Sequence, residues 1–181
     1  MRALLTVIAA VLSFPALADS KAGERKSQLC LLCHKPGPGN APLLEAQPAK
    51  YLVAQIAAIK TGKRTVYDGM RINVANLSTR DTADIAEYFS KRPAHVGLFS
   101  PDAGKAAVGE KRVSELKCAG CHQPNFHGTE AIPRLAGQVP SYLIQQIDDF
   151  NAGRRQHPPS EIGAAKGDDV ENIASYLSTL K

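Results

Sequence analysis

A chain of 181 residues with 44% hydrophobic and 22% charged residues falls in the ordinary globular range, and its Pro and Gly are plentiful without forming a low-complexity repeat. The formal net charge of +5 is too small to argue for nucleic-acid binding, and with 6% aromatic residues and no Trp, platforms for stacking bases are scarce.

The first element in the chain is a leader. Arg2 precedes the apolar run of residues 4–12, and Ser13, Phe14 and Pro15 lead into the small-residue sequence Ala16-Leu17-Ala18. These are the three parts of a secretory signal, with cleavage expected after Ala18. A membrane anchor is the competing reading, but the run falls short of the roughly 18 apolar residues a span requires. No later segment comes close, so no stable membrane span is expected. Removing 18 of the 181 residues leaves a mature chain of 163, with the net charge lowered from +5 to +4 by loss of Arg2. Its expected place is the periplasm of a Gram-negative source, where a mildly basic surface suits an acidic partner.

Beyond the leader the apolar periodicity is helical. A helix around Ala22–Leu31 leads to Cys30-Leu31-Leu32-Cys33-His34. A second, with Pro48 in its first turn, carries Leu52, Ile56 and Ile59 on one face and ends at Gly62. Met70 follows on a polar, glycine-containing loop, Tyr67-Asp68-Gly69-Met70-Arg71. Ser78, Thr79 and Asp81 then start a helix carrying Ile85 and Phe89. Residues 91–101 break the pattern with two prolines and a glycine, which places a connector at 92–101 between units 19–91 and 102–181. The second unit repeats the first: a helix over Ala103–Leu116, then Cys118-Ala119-Gly120-Cys121-His122, a helix carrying Leu143, Ile147 and Phe150, Gly153, and after Gly167 a last helix with Val170, Ile173 and Leu177.

The repetition extends to individual residues. Pro42, Gln47, Tyr51, Leu52, Gln55, Ile56, Gly62 and Arg64 recur 91 positions on as Pro133, Gln138, Tyr142, Leu143, Gln146, Ile147, Gly153 and Arg155. The cysteine pairs are 88 apart, as are Ile85 and Ile173, so the loop after the second pair holds three extra residues. Each half is expected to form about three helices and loops, an all-α fold. A unit of about 80 residues has a marginal core by itself.

All four cysteines lie in the two five-residue motifs, with a histidine directly after each second cysteine. Two thiols three positions apart can each bond one vinyl-derived carbon of a single porphyrin, while the next residue turns its imidazole onto the iron. A zinc ribbon needs its pairs about 15–20 residues apart, whereas 85 positions separate Cys33 and Cys118. A thioredoxin-like pair needs a βαβ context that is missing here, and structural disulfides leave both histidines unexplained. The motifs therefore point to two covalently attached haem c groups. A buried haem would supply apolar surface each small core lacks, coupling folding to haem loading.

Both halves resemble class I cytochrome c domains, and their tandem arrangement is similar to the dihaem cytochromes of the c4 type and the related cytochrome subunit of flavocytochrome c. The likeness rests on the two Cys-x-x-Cys-His motifs, on Pro133-Arg134-Leu135-Ala136-Gly137-Gln138 with its weaker copy at Pro42, on the Gly-x-Arg pairs and on the closing Ile-Ala-x-Tyr helices. It implies that the carbonyls of Pro42 and Pro133 orient the ligand histidines. It also implies that Tyr51, Arg64, Tyr142 and Arg155 approach haem propionates, although core packing and surface charge explain them nearly as well.

In this family a methionine before the last helix supplies the sixth iron ligand, and Met70 occupies that place. The second half departs from the pattern, because Met70 aligns with Pro158 or Glu161. His157 is the candidate there, and a bis-histidine centre would have a lower potential than a His34–Met70 centre. The alternative is an open iron able to bind a small ligand. His127 reads as an exposed loop residue and His95 as a solvated residue of the connector.

Two functions stay open. An electron carrier would pass single electrons between a redox protein donor and acceptor. A haem enzyme, or an electron-accepting subunit of a larger oxidoreductase, would keep the second coordination position vacant. The chain offers no nucleophile beside a base and no cysteine left over, which favours the carrier.

Overall fold

The helical spacing of apolar residues is realised throughout the computed structural model, which describes residues 17–37, 39–157 and 165–181. The leader's apolar run, Pro158 and Glu161 lie outside these residues. Among the described residues the sole β feature is a bridge between Thr129 and Ile132. The first half contains α1 (Ser20–Lys26), a 3-10 turn (Cys30–Leu32), α2 (Ala49–Lys60), α3 (Asp68–Ala75) and α4 (Thr79–Lys91). The second contains α5 (Ala103–Glu115), α6 (Ala119–His122), α7 (Pro140–Asn151) and α8 (Asp168–Thr179).

Polar caps set most helix starts. The Asp19 side chain accepts from the N–H groups of Lys21 and Ala22, Ser78 and Asp81 form a reciprocal capping box, and the Asp102 carboxylate accepts from Lys105 N–H. Pro140 occupies the first turn of α7, whereas Pro48 sits one residue ahead of α2 rather than inside its first turn. Gly62 and Gly153, at φ of 72° and 69°, turn the chain away after α2 and α7 in a conformation that disfavours a side chain.

Two stretches differ from the expectation. α1 stops at Ser27, where the hydroxyl donates back to Gly23 O at 2.7 Å, and the cysteine-bearing residues tighten into a separate 3-10 turn. The Met70 segment is a short helix, not a loop. Asp68 in its first turn complements the helix dipole and pairs with Arg71 at 3.1 Å, while Val74 packs on Ile56 and Ile59.

α1 crosses α4, and α5 crosses α8, so closely that only glycine fits at each contact. A Cβ at Gly23 would meet Asp84 O at 1.9 Å, and one at Gly109 would meet Asn172 O at 1.9 Å. α7 packs on α8, and α2 on α3 and α4. The apolar clusters stay within their own halves: Val113, Phe126, Leu143, Ile147, Val170, Ile173 and Leu177 in one, Tyr51, Leu52, Ile85, Tyr88 and Phe89 in the other.

The α1–α4 crossing is fixed by Asp84, which is 1% exposed. It accepts from Asp19 N–H at 2.8 Å and pairs with Lys26 Nζ at 2.8 Å and Arg80 Nε at 2.9 Å. The Asp19 N–H, and next the Lys26 ammonium, hold its carboxyl below the usual carboxylate range. The folded state therefore favours the ionised form. That contribution is complete above the ordinary aspartate pKa of about 3.9 and is lost as pH falls through the depressed folded value. Asp84→Asn is expected to lower the melting temperature at pH 7, with the gap to the unsubstituted protein closing below about pH 4. Thermal melts across pH check this; a gap undiminished at pH 2 would assign the loss to packing instead of charge.

Candidate functional site

Each Cys-x-x-Cys-His motif folds as a tight turn that presents its histidine inward. His34 N–H bonds Cys30 O at 2.9 Å and His122 N–H bonds Cys118 O at 3.0 Å, and both histidines are 8% exposed. Nδ1 of His34 lies 2.8 Å from Pro42 O, and Nδ1 of His122 lies 2.9 Å from Pro133 O. A carbonyl only accepts, so Nδ1 carries the proton in each ring and Nε2 keeps its lone pair. Burial pushes both imidazole pKa values down, toward the neutral form that binds a metal. Cys30 and Cys118 are half-buried with their thiols pushed up by burial; Cys33 and Cys121 are exposed, and none of the four forms a disulfide.

In the second half Cys118, Cys121, His122 and His157 line one cavity of about 440 Å³. Leu135, Leu143, Ile147, Ile173 and Leu177 give it apolar walls, and Tyr51, Leu52 and Gln55 of the first half close one side. Its size and lining suit a cofactor. The His157 ring stands 6.2 Å from the His122 ring, centre to centre, with the planes 22° apart. That separation accommodates a metal ion bonded at about 2 Å to one nitrogen of each imidazole. Phe150 braces the His157 ring edge-on at 4.9 Å.

In the first half, the Tyr67 hydroxyl lies 4.0 Å from Cys33 Sγ, which sets the start of α3 beside the first motif. Met70, in the first turn of α3, is half-buried and packs on the Ile56, Ile59 and Val74 cluster. His127 is exposed, with Nε2 2.7 Å from Lys181 O. His95 is not the solvated linker residue expected: its ring is half-buried 3.5 Å from the carboxylate of buried Glu45, and Glu45 Oε2 and His95 Nε2 make no hydrogen bond. The connector is drawn down because it packs over the loops joining the two halves.

Arg64, Arg155, Tyr51, Tyr142, Gln55 and Gln146 meet in a reciprocal network at that junction. Arg64 Nη2 donates to Tyr142 Oη at 3.0 Å and Arg155 Nη2 to Tyr51 Oη at 3.0 Å; Arg64 Nη1 reaches Gln55 Oε1 at 2.9 Å and Arg155 Nη1 reaches Gln146 Oε1 at 2.6 Å. Burial pushes the Tyr51 phenol up to about 12, so it stays protonated. Among the described residues no carboxylate pairs with either guanidinium. Two half-buried cations beside a cofactor-sized cavity fit an anionic group such as a porphyrin propionate. The site residues not anticipated are the glutamines, whose signal was present: polar residues matched between the repeats at positions that turn out to be buried.

Comparison with known proteins agrees with this architecture. The family model described as cytochrome c matches residues 103–181. The chain is 35% identical to the cytochrome c4 of Pseudomonas aeruginosa over 91% of its own length and 90% of that protein's. The crystal structure of reduced recombinant cytochrome c4 from Pseudomonas stutzeri superposes with a TM-score of 0.80 at 32% identity, covering 91% of this chain and 100% of that one. A thiosulfate dehydrogenase electron acceptor of Thiomonas intermedia is 29% identical over 87% of this chain and 79% of its own.

Proposed function

The chain belongs to the cytochrome c4 family of dihaem electron-transfer proteins, and from that premise we propose which of its residues hold the two haem c groups and where it works. Cys30 and Cys33 bond the first porphyrin and Cys118 and Cys121 the second. His34 and Met70 ligate the first iron; His122 and His157 ligate the second. When bound, each iron supplies a one-electron ferrous–ferric couple. The residues around it exclude water, hold the imidazoles as neutral rings and place guanidiniums where propionates need counter-charge. A thioether ligand favours the reduced state and a second imidazole the oxidised one, so the first centre has the higher potential. The observation that carries the reading is the cavity in which a Cys-x-x-Cys-His motif faces a second histidine ring at 6.2 Å.

Two unequal one-electron steps are expected in a redox titration of the purified holoprotein. Its ferric spectrum should show two low-spin haems with one methionine–iron charge-transfer band, and cyanide or carbon monoxide should bind slowly or not at all. Ready binding at one haem would overturn the His157 assignment and favour an enzymatic centre.

The chain works, on this reading, in the periplasm after cleavage behind Ala18. The structure supports that cut in an unexpected way: it turns the Asp19 N–H, 2.8 Å from buried Asp84, into an ammonium group able to pair with that carboxylate. Among the described residues no helix is long and apolar enough to cross a membrane. A second reading, service as the electron-accepting partner of a sulfur-compound dehydrogenase, is favoured by the Thiomonas relative and keeps the same residue roles.

A further inference from the structure

The two halves hold each other through a pair of crossed glutamine clamps. Gln138, 4% exposed, accepts from Leu43 N–H at 2.7 Å through Oε1 and donates to Leu43 O at 3.0 Å through Nε2. Gln47, also 4% exposed, repeats this at the matching position: Oε1 accepts from Arg134 N–H at 3.0 Å and Nε2 donates to Arg134 O at 2.8 Å. The Gln138 oxygen is fixed in turn by its neighbour's N–H, that of Val139, at 2.9 Å.

The residues clamped are not arbitrary. Leu43 N–H belongs to the same peptide group as Pro42 O, which accepts from His34 Nδ1 at 2.8 Å. Arg134 N–H shares its peptide group with Pro133 O, which accepts from His122 Nδ1 at 2.9 Å. Each half thus contains an unbroken chain: imidazole N–H to carbonyl, across one amide, then amide N–H to a glutamine oxygen of the other half. An amide whose N–H is donating has a more negative carbonyl oxygen and accepts more strongly, so the two bonds reinforce one another. A stronger acceptor at Nδ1 makes the imidazole more basic and stabilises the higher charge of a metal it ligates.

We propose that Gln138 and Gln47 are positioning residues that set the donor strength of the histidine in the opposite half, Gln138 that of His34 and Gln47 that of His122. Docking of the halves then tunes both centres at once, although each carries its own ligands. The interface is part of the redox device as well as a structural seam. The inference rests on His34 and His122 being iron ligands.

The test uses the holoprotein, with each haem's ring-methyl resonances assigned by nuclear Overhauser contacts to side chains of its own half and followed through a redox titration. Gln138→Leu should raise the potential of the haem on His34 and shift its ferric methyl resonances, leaving the haem on His122 less affected. Gln47→Leu should do the reverse. The Gln47→Leu, Gln138→Leu double variant should show both shifts. If a leucine variant fails to load haem, Gln138→Asn and Gln47→Asn, which withdraw the amide without removing it, are expected to give the same crossed pattern. A shift confined to the substituted residue's own half, equal shifts of both haems, or no shift in a variant of native helicity and melting temperature would overturn the proposal. Failure of the ligand assignment is separately visible, because the unsubstituted protein would then lack two low-spin haems.

Discussion

Protein with both Cys118 and Cys121 replaced by alanine is expected to emerge from a maturation-competent host with the mass of one attached haem instead of two, and with its second half unfolded at room temperature. The magnitude follows from the cavity. An unfilled space of about 440 Å³, at about 24 cal/mol per Å³ of residual void, costs about 10 kcal/mol. Domains of this size have only about 5–15 kcal/mol in total, so the cost consumes most of it. Leu143, Ile147, Ile173 and Leu177 line that space as well as belonging to the half's core cluster, and so lose contacts on both sides. Intact-mass measurement and circular dichroism melts check the result. Retention of both haems, or an unchanged melting profile, would remove the thioether attachment and the folding coupling respectively.

Replacing His157 by alanine should convert one of the two haems from low to high spin and open it to cyanide and carbon monoxide, while the other keeps its methionine charge-transfer band. The argument is local. His157 is held by Phe150 at 4.9 Å, and no other histidine ring is recorded facing His122. Alanine restores neither the ligand nor the packing, so water is left as the competitor for the iron. Phe150→Leu serves as the comparison: it loosens the ring without removing the imidazole and should retain low-spin character. An unchanged spectrum in His157→Ala would eliminate this residue as a ligand.

The sequence carried those parts of the fold that depend on local pattern. Period-3.6 apolar spacing located α2, α4, α7 and α8, and the Ser78–Asp81 cap marked the start of α4. The invariance of spacing within the two motifs identified their chemistry, because thioether attachment needs that offset. What was not legible was long-range. The short helix at Met70 was hidden by Asp68 and Gly69, residues that favour turns unless an ion pair and a packed Val74 override them. Gly23 and Gly109 looked like weak points in helices; their need appears only when a second helix lies across them. His95 was read as solvated since nothing local announces Glu45 beneath it. The paired glutamines were aligned in the repeat, yet their partners lie 87 and 95 positions away in the chain.

Arg64 and Arg155 bring two like charges to a single seam, held by neutral phenols and amides. In a nascent polypeptide awaiting its prosthetic groups, that arrangement opposes closure, because gathering unneutralised cations out of water is costly. Maturation therefore has a built-in order: attachment at each motif comes first, while the lobes remain apart and accessible to the ligation machinery, and the joint locks last.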